Sequence, residues 1–508
     1  MTFPCPIALR APHVAAVAIA ALLAPCTGRA AQGEGSATVT QASSAPAAPA
    51  LVPSLDPAAV ATLVPAPLVA PTGSVAPTPS VAAAVNPASH DLRSQPPRRD
   101  GVARLTVPLA ETVATTLVIL EWNRWVGQAP WAEVTPNSVG HNLGSRWVLD
   151  HDDFWVNQVG HPYQGTWSFT AARSAGLGFW ESAPFAFGAS ALWEIAGETD
   201  PPSLNDQVTT TVAGMVFGEV LHRFAGSLRT EGGTWREIAA GVLEPMGALN
   251  GRLVGRADGA RNPSSRWQLG LGAALPGDGS AGSSRPMAAA GLSYTWGLAG
   301  SEGLSLRRPF DHFVLDVDWA ASADPTATVR ARGLVAGATF DAGAVRGLYG
   351  AFLSFDFASP SGYRISTSAV GFGASSATDL GGGLALEGDA IASAILLGAG
   401  GSVPSADGLD RNYRFGQGEQ GLLGLRLVWG TRARAEIAMR QYLLLAAEAP
   451  RGNELIVHGT ASASFRIAGA HGLGVEATRL LRRADVARDT VRSGGVVVGV
   501  YYTLLGGS

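Results

Sequence analysis

Cysteine is nearly missing from this chain and lysine is missing altogether. Its only cysteines, Cys5 and Cys26, lie at the extreme N-terminus, so the body that follows has no thiol for a disulfide, a thiolate metal site or a cysteine nucleophile. All 36 basic side chains are arginine, which we read as genomic base bias before anything functional. Long apolar runs are scarce as well. Beyond the N-terminal leader no stretch offers the roughly 20 uncharged apolar residues that a spanning helix needs. The best rival, residues 179–197, is interrupted by Glu181, Pro184 and Glu194, which disfavours a helical inner-membrane transporter. A net charge of −4 gives no reason to expect nucleic acid as a partner.

What is present divides the chain into four. Arg10 precedes an apolar core over residues 14–24, and the small residues Gly28, Ala30 and Ala31 follow, so residues 1–31 read as a secretory signal peptide with the mature chain starting near Ala31 or Gln32. Cys26 only loosely fits an acylated lipoprotein cysteine, because Pro25 precedes it. Residues 32–95 are dominated by Ala, Pro, Ser, Val and Thr; that composition buries too little to offset chain entropy, and a disordered tether is expected.

Residues 96–260 read as a helical module. One helix is expected over residues 110–125 and one or two over 167–196, broken or kinked at Pro184. Another starts at Pro201-Pro202-Ser203, where Ser203 can cap and Asp206 can reciprocate, and runs to about Ala225. On it Gly214 and Gly218 allow a neighbour to approach closely. Nine of the 13 tryptophans lie between Trp122 and Trp235, a density that suits a packed or membrane-interface unit.

Near residue 265 the period changes to two. Ala433, Ala435, Ile437 and Met439 alternate with Arg432, Arg434, Glu436 and Arg440; Phe313, Leu315, Val317 and Trp319 alternate with His312, Asp316 and Asp318. One face wants hydrocarbon and the other water, so residues 261–508 read as a transmembrane antiparallel β-barrel of about 12 strands. The overall class is α+β. A soluble periplasmic β-sandwich has the same alternation with the polar face outward, and is the competing fold. In the barrel reading Asp316, Asp318, Asp356, Arg426, Arg432, Arg434, Glu436 and Arg440 line the lumen, together with Arg330, Arg332 and Glu476. They either favour passage of small anionic solutes or brace the interior as opposed ladders.

The phrase NQVGHPYQG (157–165), followed by AARS (171–174), FWESAP (179–184), LWE (192–194), PPSLND (201–206) and Gly218-Glu219, resembles a family of bacterial exported proteins known as the domain of unknown function DUF3943. The later RNYRFGQG (411–418) is similar to a phrase of the family's β-rich part, with Gln417 in place of proline. The resemblance implies a helical module followed by an outer-membrane-type barrel. It implies no activity and carries over no catalytic residues.

Read from the residues, His161 sits in a Gly-bounded turn before a helix, where an imidazole can act as base or ligand, and Glu181 or Glu194 is its candidate catalytic partner. Tyr163, Gln164, Arg173, Glu198, Asn205, Asp206, Glu219 and His222 share the same window, and buried charges there must find partners. The network is either an acid/base centre acting on lipid or glycan, or a set of salt bridges and caps that fix the helices beneath or inside the barrel. Glu219 and His222 have the i, i+3 spacing of di-iron bundles, but no second such pair exists in the module, so neither a metal nor any other cofactor is expected. The chain is thus expected in the outer membrane of a Gram-negative-type bacterium, in contact with its lipid, with a structural or transport-like role, an envelope enzyme being the alternative.

Overall fold

The computed structural model describes residues 101–507 except 151, 254–262, 278–284, 322–325, 361–362, 402–411, 448–451 and 487–488. The expected signal peptide and tether lie outside the described residues.

Seven α-helices precede the strands among the described residues: α1 (Ala103–Trp122), α2 (Pro136–Gly144), α3 (His161–Ser174), α4 (Phe179–Ala196), α5 (Leu204–Glu231), α6 (Thr234–Leu243) and α7 (Pro245–Leu253). Residues 167–196 are indeed broken, but at Gly176 (φ +94°) and not at Pro184, which lies inside an uninterrupted α4. Gly176 takes a left-handed conformation that ends α3 at little steric cost, whereas α4 continues through Pro184, its sixth residue, without that residue's backbone donor. Pro162 occupies the first turn of α3, and a π-helical turn, Val156–Gly160, leads into it.

Two glycines set the spacing of the module's centre. A Cβ on Gly165 of α3 would fall 2.1 Å from the Thr210 carbonyl oxygen of α5, and one on Gly214 would fall 2.7 Å from the Gly165 carbonyl carbon. The two helices therefore touch backbone to backbone. They run parallel, since Gly165 meets Thr210 and Gly214, Phe169 meets Gly218, and Arg173 meets Glu219. Their N-termini consequently lie side by side.

Twelve antiparallel strands close into one ring: β1 (Ser265–Pro276), β2 (Met287–Trp296), β3 (Phe313–Ala320), β4 (Thr326–Ala342), β5 (Val345–Ser359), β6 (Arg364–Gly381), β7 (Leu384–Gly401), β8 (Tyr413–Trp429), β9 (Ala433–Ala446), β10 (Gly452–Ala468), β11 (His471–Val486) and β12 (Asp489–Gly507). β1 pairs with β12, so no edge remains. A single closed ring is not two stacked sheets, and the sandwich alternative falls.

Ion pairs that cross the ring identify its inside. Arg266 on β1 meets Glu387 on β7 at 2.6 Å, and Arg440 on β9 meets Asp316 on β3 at 3.6 Å, each pair six strands apart around the barrel. The opposite faces of β8–β12 carry exposed Leu425, Ile437, Phe465, Val475 and Val500. Hydrocarbon faces outward and charge inward, the arrangement of a membrane-spanning barrel. Arg432 departs from the expected lining. It lies in the β8–β9 turn, its guanidinium over the Trp429 ring at 5.3 Å, because the alternation runs one residue past the end of the strand.

The helical module is neither beneath the barrel nor in its lumen. It packs on the outer wall, where Phe154, Trp155 and Phe217 meet Phe355 and Phe357 of β5, Phe224 meets Tyr294 of β2, and Phe179 stacks on Phe310 before β3. Outward aromatics on these strands thus bury against helices and not against acyl chains, and the lumen is already filled by charge.

Candidate functional site

The N-termini of α3 and α5 and the C-terminal turn of α4 converge on one buried pocket of polar groups. His161 opens α3, Asp206 lies in the first turn of α5, and Glu194 sits near the end of α4. One ligand-type atom from each lies within 4.8 Å of the others, and all three residues are buried. Of the expected catalytic set, His161 and Glu194 are thus brought together. Glu181 is not: its carboxylate, 60% exposed, accepts from the Gly178 backbone N–H at 2.7 Å and caps α4.

Capping chemistry explains how Asp206 reaches the pocket. Ser203 caps α5 as expected, its Oγ accepting from the Asp206 N–H at 3.2 Å. The reciprocal bond to the Ser203 N–H comes from Glu194 Oε2 at 2.7 Å and not from Asp206. Freed of that duty, the Asp206 carboxyl turns to Asp150, within side-chain hydrogen-bonding reach. Asp150 in turn accepts from Asn157 Nδ2 at 2.7 Å and from Asn205 Nδ2 at 3.3 Å. Asp150 was not singled out from sequence; the acidic residues Asp150, Asp152 and Asp153 directly ahead of the NQVGHPYQG phrase were its signal.

Electrostatically the pocket is one-sided. Among the described residues no arginine pairs with Asp150, Glu194 or Asp206. Burial raises the Glu194 and Asp206 carboxyls above the usual range, the neighbouring acids adding to it. Burial also holds the His161 imidazole down to about 4, against the pull of Asp150. Glu194 Oε1 and Asp206 Oδ1 are buried without a hydrogen-bond partner, and so is Gln164 Nε2. Glu198 borders the pocket and accepts from Trp193 Nε1 at 3.1 Å. The positive ends of the α3 and α5 dipoles point into this acidic group.

Arg173, Glu219 and His222 lie outside this pocket, in separate paired clusters. Glu219, buried, receives Arg173 Nε at 2.6 Å and Arg223 Nε at 2.8 Å, and Arg223 continues to Asp311 at 2.9 Å. Burial alone would raise the Glu219 carboxyl, but the two guanidiniums hold it down to about 2. His222 does not join Glu219. Its Nδ1 lies 2.6 Å from Glu244 of the α6–α7 junction, which also pairs with Arg229, so the di-iron spacing serves a salt bridge.

Beside the pocket an apolar crevice of about 60 Å³ separates helices from wall, lined by Trp155, Tyr163, Phe217, Val317, Phe355 and Phe357. Tyr163 stacks edge-on against Trp167. The pocket is tied to the wall by Asn157, whose amide donates to the Tyr413 phenol at 2.9 Å, while that phenol donates to the Asp152 carbonyl at 2.8 Å.

Inside the barrel, Arg426 bridges Glu387 and Glu436, each at 2.9 Å, and Arg434 completes the cluster on Glu436. Asp356 accepts from Tyr442 at 2.8 Å and pairs with Arg440 at 3.4 Å. Asp318 faces Arg330 and Glu476. Residues 297–312 turn into one end of the lumen, where Leu304 and Leu306 pack against Leu348, Phe352 and Leu422. Two voids between these groups measure about 20 Å³ each, enough for about one water.

Solved structures similar to this chain include the CymD monoaromatic hydrocarbon channel (9% identity, 48% of this chain and 89% of that one, TM-score 0.23) and an outer membrane channel from Pseudomonas putida F1 (10%, 49% and 97%, TM-score 0.25). The translocator domain of the autotransporter NalP from Neisseria meningitidis is similar at 15% identity over 47% of this chain and 88% of that one, with a TM-score of 0.21. No curated protein matches. Residues 146–246, which hold the pocket from Asp150 through Asp206, match the family described as Domain of unknown function (DUF3943), the one whose phrases the sequence resembles.

Proposed function

We propose that the chain is an integral outer-membrane barrel with a structural role: its wall crosses the lipid, its lumen stays shut, and its outer face carries the helical module. The observation that carries this reading is the cross-barrel ladder of Arg266–Glu387–Arg426–Glu436 and Arg440–Asp316, which spans the interior, with water-sized voids beside it. A solute stream requires a continuous path with weak, replaceable contacts, and paired ions at these distances supply neither. The protein reconstituted in planar bilayers is expected to give no stepwise conductance, whereas R426A, which removes the central strut, is expected to conduct. Stable single-channel openings in the unmodified protein would overturn the reading and favour transport.

A second reading, an envelope enzyme acting on lipid or glycan, is favoured by the buried His161, Glu194 and Asp206 beside an apolar crevice. It predicts that H161A leaves the heat-modifiable folded barrel intact but abolishes turnover of an envelope lipid or glycan extract, detected by mass spectrometry.

A further inference from the structure

Buried acids in and around the module differ in their partners. Glu219, Glu244 and Asp311 each have an arginine within ion-pair distance. Asp150, Glu194 and Asp206 have none, although Glu194 and Asp206 are almost wholly shielded from solvent, at 0% and 1% exposure. Three carboxyls so placed need positive charge or shared protons. Asn157, Asn205 and Ser203 satisfy some of their oxygens, yet one oxygen of Glu194 and one of Asp206 remain without a donor. The imidazole of His161, a residue 9% exposed, makes no hydrogen bond among the described residues, and a ring nitrogen faces the same space. One ligand-type atom from each of these three residues, on three different helices, lies within 4.8 Å of the others, a spacing that suits a single ion.

The structure assigns this junction as a binding site for one divalent first-row transition-metal ion, held by the imidazole of His161 and the carboxylates of Glu194 and Asp206, with Asp150 as fourth ligand. The donor set selects the class of ion. A buried imidazole among carboxylates suits Zn²⁺, Mn²⁺ or Fe²⁺, whereas Ca²⁺ and Mg²⁺ take all-oxygen shells. The polar neighbours orient the carboxylates: Asn157 and Asn205 fix Asp150, which faces Asp206, and the Ser203 backbone N–H fixes Glu194, whose Oε1 is left without a donor. The sequence conceals the set because its members come from four separate stretches, with none of the short spacings by which metal motifs are recognised.

The full-length chain, purified in detergent and stripped with EDTA, is to be titrated with Zn²⁺, Mn²⁺ and Fe²⁺ against a competing chelator, with bound metal counted by elemental analysis. One ion per chain is expected. H161A and D206N should weaken it more than about 10-fold while the barrel remains heat-modifiable, and E181Q, at the exposed cap, should bind as the parent does. X-ray absorption of the Zn²⁺-loaded parent protein should show one imidazole among oxygen ligands, a readout that does not depend on any variant folding. Failure of all three ions to bind, binding of Ca²⁺ or Mg²⁺ alone, undiminished affinity in folded D206N, or a shell with no imidazole or with two would each overturn the assignment.

Discussion

Asn157 and Tyr413, 256 residues apart, meet at 2.9 Å, joining the helical module to strand β8. Each belongs to a phrase that resembles DUF3943, one in the helical half and one in the β-rich half. Tyr413 also stands over Phe154 at 5.2 Å, so the contact pairs a hydrogen bond with an aromatic edge. Replacing Tyr413 by Phe keeps the ring and deprives the buried Asn157 amide of an acceptor, at a cost of about 1–3 kcal/mol. Protease nicking within residues 146–246 should accelerate in Y413F while the barrel band keeps its heat-modifiable shift. If digestion is unaltered, the phenol does not anchor the module.

The glycine crossing yields a paired comparison on one helix. G214A drives a methyl group into the α3 backbone and should destabilise the module by about 1–3 kcal/mol or more. Gly226, also on α5, has nothing within 4 Å of a new Cβ, and G226A should be neutral or stabilising by up to about 1 kcal/mol. Thermal unfolding in detergent, followed by tryptophan emission, separates the two; equal melting would contradict a backbone-limited contact.

Acid sensitivity should trace to Glu219. Its carboxyl is depressed from an ordinary 4.5 to about 2, so its contribution is fully present above pH 4.5 and is lost as pH falls through 2. E219Q should be less stable at pH 7, because Arg173 and Arg223 lose their counter-ion, and should show a shallower loss between pH 4.5 and 2. Unfolding midpoints across that window check both statements. Parallel slopes in parent and variant would remove Glu219 from the account.

Two arginines that look alike in sequence should behave differently. Arg432, stacked on Trp429 in a turn, should cost at most about 1 kcal/mol when replaced by Ala. Arg426 holds Glu387 and Glu436 together, and R426A takes from each half-buried carboxylate one of its two arginines, leaving Arg266 and Arg434, at about 1.5–3 kcal/mol. The barrel's own melting temperature is the measure; comparable losses would mean that the lumen is not braced as described.

The barrel was legible because period-two alternation is a local property: Ile437 and Glu436 point apart wherever the strand goes. The count of about 12 strands and the inward position of Arg434 and Glu436 followed from it. Arg432 did not, since a turn begins without altering the alternation. The start of α5 at Ser203 could be read from capping residues, yet the partner of its backbone N–H could not, because Glu194 arrives from another helix. The same limit applies to the pocket. His161, Glu194 and Asp206 were each conspicuous, but only the crossing at Gly165 and Gly214 puts them together, and Glu181 looked equally eligible until its capping role was seen. The seat of the module on the outer wall depends on matching aromatic faces, which no local period encodes.

The glycine contact between α3 and α5 works as a spacer of fixed length. Gly165 lies four residues from His161 and Thr210 lies four from Asp206, about one helical turn in each case. The gap between imidazole and carboxyl is therefore gauged by main chain resting on main chain. Repacking of greasy side chains elsewhere leaves that gauge untouched, whereas one added methyl at either glycine resets it, so the chemistry of the junction tolerates drift in its surroundings and almost none at its fulcrum.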